Sequence, residues 1–195
     1  MKKLTTMLKI ATVMAVALFL GGGCDDGIDW LNGGTTNYKV EKVVSDTNDS
    51  EIKALFEATN SFRTSGTADY ATESGGTEKV GELDALTLDA NLCKAAGIRA
   101  KEIVNKFEHK RHNGSSCFTV FDDLGIKAGY KAENIAAGSS TGAATFTQWK
   151  EDGKPYSGQG HRRNMLSTNA TKIGLAYAYS SEAPYKYYWV MILSN

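Results

Sequence analysis

The apolar positions of this chain fall into stretches of different period, and each period predicts an element. Near the N-terminus an apolar run over residues 10–20 follows Lys2 and Lys3. It has the length of a signal-peptide core and falls short of the ~20 residues that a membrane-spanning helix needs. Residues 25–45 show no helical or strand period over a useful length, which predicts a tether. Over residues 49–62, Ile52, Leu55, Phe56 and Phe62 recur at spacings near three and four behind Asp49 and Ser50, two candidate N-caps, and predict a first helix. Residues 63–78 collect Thr, Ser, Gly and acidic residues and predict an exposed loop. Asp89 caps the clearest helix, with Leu92, Ala96, Ile103 and Phe107 along one face and Lys94, Arg99, Lys101 and Glu102 turned elsewhere. Two shorter helices are predicted over residues 145–151 and 161–166, separated by Gly153, Pro155, Gly158 and Gly160. The chain closes with two β-prone runs, 172–179 and 185–193, which predict an antiparallel hairpin. Helices gathered on a small antiparallel sheet make the fold class α+β.

Composition adds few constraints. With 195 residues, 42% of them hydrophobic, the chain can bury one ordinary core, and a monomeric single domain is expected. The formal charge is zero, but residues 1–23 hold three lysines and no acid, leaving 19 bases against 22 acids in the remainder. Those bases are scattered and form no stripe for nucleic-acid phosphates, which removes nucleic acid as a partner.

The cysteines matter more. The apolar run ends in Gly21, Gly22, Gly23 and Cys24, small residues before a thiol as in a lipoprotein signal, although Leu20 sits one place earlier than usual. The expected division is a lipoprotein-type signal peptide over 1–23, a tether over 24–48 and one domain over 49–195. Acylated Cys24 would hold the domain on the outer side of the cytoplasmic membrane or elsewhere in the envelope, with plain secretion as the alternative. Cys93 and Cys117 remain as an even pair, either joined as a disulfide or buried as free thiols.

Four segments, in order, carry a resemblance. They are Phe107-Glu108-His109 with the turn to Gly114; Ala132-Glu133-Asn134-Ile135-Ala136; Gly160-His161-Arg162-Arg163-Asn164-Met165-Leu166 after Trp149; and Ile173-Gly174-Leu175-Ala176-Tyr177 followed by Tyr188-Trp189-Val190. Together they resemble the bacterial branch of the CAP superfamily, which includes cysteine-rich secretory proteins, antigen 5 and plant pathogenesis-related proteins. The resemblance implies an α-β-α sandwich with a small antiparallel sheet, a C-terminal β-hairpin and a groove holding two histidines and two acids. By motif these are His109, Glu133 and His161, with Asp152 as the fourth and Glu151 beside it as the other candidate.

Imidazole and carboxylate suit zinc or another divalent cation, so His109 and His161 are candidate metal ligands. The preferred function is a surface binding module whose ligand is a lipid, a cell-wall component or a protein. A metal-dependent hydrolase of peptidase type would use Glu133 or Asp152 as base, but no His-Glu-x-x-His helix is present. A structural or adhesive envelope protein with an inert cluster is the third reading. Ser157 reads as a turn former, His112 as solvent-exposed, and Arg162 with Arg163 as a solvated face. The aromatics of the last hairpin are expected to divide between core and surface, where an exposed strip would suit sugar or lipid.

Overall fold

The computed structural model describes residues 37–195. Its centre is the predicted hairpin, β6 (Lys172–Tyr179) and β7 (Tyr187–Ser194). Strand β5 (Lys131–Ala137) pairs antiparallel with β7, and β1 (Lys42–Val44) pairs antiparallel with β6, giving the order β1-β6-β7-β5. A two-residue strand, β4 (Thr87–Leu88), adds a short parallel pairing to β6. Helix α1 (Ser50–Thr64) and helix α4 (Gly142–Lys150) cover one face, while α2 (Ala90–Ile103) and the short α3 (Thr119–Asp123) cover the other. The helix caps follow the sequence: Asp49 and Asp89 each accept two backbone N–H groups in the first turn of α1 and α2.

Because both faces are covered, period-two alternation sorts side chains between two cores. Leu175, Tyr177, Trp189, Met191 and Leu193 pack with Ile52, Leu55 and Trp149 on one side. Ala176, Ala178, Tyr188, Val190 and Ile192 pack with Leu92, Ala96 and Ile103 on the other. The hairpin aromatics divide as expected, though not by alternation alone: Tyr177, Tyr188 and Trp189 are buried, Tyr179 and Tyr187 half-buried, and Tyr185, in the connecting loop, exposed. Gly174 allows α2 to lie directly on β6, since a Cβ there would stand 2.1 Å from the backbone carbon of Leu92.

Two predicted irregular segments carry structure. Within 63–78 a small hairpin begins, β2 (Asp69–Ala71) with β3 (Thr77–Lys79). At the end of the expected tether, β1 joins the sheet. Both are three-residue strands, too short to show a period. Arg63 is also buried, donating to the carbonyls of Asp84, Met165 and Ser167, which tie the end of α1 to the entry into β6. No described helix is long and apolar enough to cross a membrane. The expected signal peptide and Cys24 lie outside the described residues.

Candidate functional site

The first half of the site is built from α2. Positions 92, 96, 99 and 103 share one helix face, so Arg99 is carried into the core with Leu92, Ala96 and Ile103 and is fully buried. Sequence reasoning turned Arg99 away from that face; a charge at the i+3 position from Ala96 was the available signal. Burial demands partners. Arg99 Nε donates to Glu133 Oε2 at 2.8 Å, its Nη1 to Glu102 Oε2 at 2.5 Å, and its Nη2 to the carbonyl of Glu108 at 2.9 Å.

Glu133 projects from β5 toward α2, and its Oε1 lies 2.9 Å from His109 Nδ1. Burial opposes charge on Glu133, but the hydrogen bonds from His109 and Arg99 and the guanidinium charge outweigh it, holding the carboxyl below its ordinary range. The ionised carboxylate only accepts, so Nδ1 of His109 carries the hydrogen, and in the neutral ring Nε2 keeps a lone pair.

The second half is built from the turn after α4. Trp149 is buried and donates to the carbonyl of Ile135, which fixes the roll of α4 on β5. Two residues on, Glu151 ends the helix in the left-handed region at φ 51° and is itself buried. Its Oε1 lies 2.7 Å from His161 Nδ1, and its Oε2 accepts the N–H groups of His161 and Arg162 at 3.1 and 3.3 Å. Helix α5 (Gly160–Met165) has no side-chain cap of its own, so Glu151 supplies one from outside it.

Asp152 points outward, paired with Arg162 at 2.7 Å and Lys150 at 2.8 Å, with its side chain 60% exposed. The acid that meets His161 is therefore Glu151, because the left-handed turn directs the side chain at 151 beneath α5 and the next one to solvent. Arg162, expected as a solvated face, is buried and also donates to the carbonyl and carboxylate of Asp69.

The two halves meet across β5, the outer strand of the sheet. Glu133 faces α2 and its neighbour Asn134 faces α5, as adjacent strand residues must. Asn134 Nδ2 donates to the carbonyl of His161 at 3.1 Å, and Asn164 Nδ2 donates to Asn134 Oδ1 at 2.8 Å. His109 thus arrives from one face of the sheet and His161 from the other. Their side chains are 38% and 32% exposed, and no described residue hydrogen-bonds Nε2 of either. The edge between them is covered: the carbonyls of Glu133, Ile135 and Ala137 accept from Asn164, Trp149 and Gln148.

Among the described residues no three His, Cys, Asp or Glu side chains gather as a metal-holding group. Two imidazoles do not make a closed structural zinc site, which takes four protein ligands. Depressions of about 240 Å³ beside Asp89 and Asn195 and about 450 Å³ along residues 42–49 involve neither histidine.

Cys93 and Cys117 are buried free thiols, which corrects the disulfide expectation. Cys93 Sγ accepts the N–H of Leu175 on β6, while Cys117 lies against Glu133 on β5. Burial first, and the Glu133 charge second, push the Cys117 thiol up to about 12, so it stays protonated. Ser157 sits exposed in a 3-10 turn, and His112 is exposed with Nε2 at 2.7 Å from the carbonyl of Glu102.

Known proteins carry the same arrangement of elements. The profile of the cysteine-rich secretory protein family, CAP, matches residues 56–193. The protein YkwD of Bacillus subtilis is 29% identical over 149 residues, covering 72% of this chain and 56% of its own length. An extracellular SCP-domain protein of Bacillus anthracis superposes with TM-score 0.53 at 20% identity, over 73% of this chain and 39% of that one. An outer surface protein of Borrelia burgdorferi superposes with TM-score 0.58 at 15% identity, over 79% of this chain and 97% of that one.

Proposed function

Because the chain belongs to the cysteine-rich secretory protein (CAP) family, we propose that it works outside the cytoplasmic membrane as a binding module. Its binding surface is the rim of β5, where His109 and His161 offer their Nε2 atoms to a ligand. Export is supported by the apolar run behind Lys2 and Lys3, and by the extracellular and outer-surface descriptions of the two structural neighbours. The ligand is a polar molecule or protein surface that engages both imidazoles together.

The observation that carries binding over turnover is the state of the two acids. A general base must be free to take a proton and benefits from a pKa raised toward neutrality. Glu133 is ion-paired to a buried arginine, hydrogen-bonded to His109 and held below the ordinary carboxylate range. Both oxygens of Glu151 are engaged by His161 and the first N–H groups of α5. Each carboxylate orients an imidazole, as the outer partners of histidine ligands do. A divalent ion such as zinc would be held by His109 and His161 through Nε2, and would supply there a positive centre for anionic or carbonyl groups of the ligand.

Calorimetric titration of zinc into the wild type and a His109→Ala/His161→Ala variant tests whether the imidazoles act as a pair. The expected result is weak binding, micromolar or weaker, that disappears in the variant. Zinc-dependent cleavage of a protein substrate, abolished by Glu133→Gln, would overturn the binding reading in favour of hydrolysis.

A further inference from the structure

The end of the domain where the described chain begins carries an aromatic patch that the histidine rim does not use. The amide of Tyr38 donates to Asn105 Oδ1, which pins the incoming chain beside the turn that follows α2. That turn presents Phe107 and the β6–β7 loop presents Tyr185; they are 45% and 44% exposed, two of the four large hydrophobic side chains exposed among the described residues. Their ring centroids lie 6.4 Å apart, and each also leans on the buried Tyr188, at 6.3 and 6.1 Å. The two rings are thus supported from beneath and left uncovered above. Exposed lysines stand beside them in sequence: Lys186 follows Tyr185, Lys39 follows Tyr38, and Lys106, ion-paired with Glu108 at 3.1 Å, precedes Phe107.

We infer that this end rests on the lipid surface to which the chain is anchored, with Phe107 and Tyr185 seated at the headgroup boundary. The inference relies on the reading of Cys24 as the acylated residue. Thirteen residues separate Cys24 from Tyr38, a reach of roughly 45 Å when fully extended. A tether that short holds its point of attachment at high effective concentration over the bilayer, and the patch lies at that point. Aromatic rings with lysines around them match the boundary between headgroup and acyl chain, where rings settle and lysine stems extend their charge toward water or anionic lipid. His109, two residues beyond Phe107, would then face ligands close to the membrane surface.

The test uses the full chain, exported, processed and reconstituted into phosphatidylethanolamine/phosphatidylglycerol vesicles. An environment-sensitive dye is placed on exposed Pro184→Cys beside Tyr185 or, at the opposite end of β6, on exposed Thr168→Cys; the buried Cys93 and Cys117 stay unlabelled. Lipids carrying a nitroxide near the headgroup should quench the dye at 184 at least about twofold more than at 168, and Phe107→Ser should reduce that difference. Equal quenching at both positions, with the chain still in the vesicle fraction and Cys24 acylated by mass spectrometry, overturns the docking inference and leaves the anchor intact. An unmodified Cys24 and a chain that washes free of vesicles overturn both.

Discussion

The two imidazole–carboxylate pairs place the same groups in the same relation but are supported in different ways. His109 depends on Glu133, which belongs to a charged cluster in the core: Arg99 is fully buried between Glu133 and Glu102, and Glu102 also holds Arg111 at 2.7 Å. His161 depends on Glu151, which sits in a left-handed turn and is held largely by backbone N–H groups of a six-residue helix. One pair is set by core packing, the other by a helix end, and disruption should cost accordingly.

The largest effect is expected at Glu133. Glu133→Ala leaves Arg99 buried without its main partner and should cost about 3–5 kcal/mol of stability, read from denaturant unfolding. Acid should expose the same dependence. Because the folded-state pKa of Glu133 is depressed, its contribution is present above the ordinary carboxylate range and is lost as pH falls through the lower folded value. Wild type and Glu133→Gln should therefore converge in stability at strongly acid pH; a constant gap down to pH ~2 would remove the ion pair from the account.

A smaller loss is expected at the second pair. Glu151→Ala removes the external cap of α5 and should cost about 1–2 kcal/mol. Glu151→Gly should recover roughly 1 kcal/mol of that, because glycine adopts the left-handed turn without penalty. Alanine and glycine variants of equal stability would show that the turn is not strained. At high pH the Cys117 thiol adds a further slope. Its folded-state pKa is raised to about 12, so stability declines from the ordinary thiol range up toward that value, and the decline is shallower in Cys117→Ala, where burial still raises the Cys93 thiol. The smallest effect is expected for Asp152→Ala, whose exposed ion pairs should be worth under ~1 kcal/mol.

Much of this was legible in the sequence because it depends on local signals. The caps Asp49 and Asp89, the main helices and the closing hairpin follow from residue type and period. The family motifs named His109, Glu133 and His161, and the structure brings the first two into hydrogen-bond contact, with His161 reached through Asn134. What was not legible depends on geometry beyond the period. Spacing alone could not choose between Glu151 and Asp152, since the choice is made by one backbone dihedral at the end of α4. Arg99 and Arg162 read as surface charges because each has a partner far off in sequence, on β5 for one and at Asp69 for the other, that local spacing does not reveal. The thiols of Cys93 and Cys117 looked like a pair by number, yet each packs against a different strand.

The central claim is that both histidines are held through Nδ1 and offer Nε2 outward. Nitrogen-15 correlation spectra of the imidazole rings near neutral pH measure this directly. The account predicts that the neutral rings of His109 and His161 both carry hydrogen on Nδ1, with the Nε2 resonances shifting on addition of zinc. A neutral ring protonated on Nε2 at either position would contradict it.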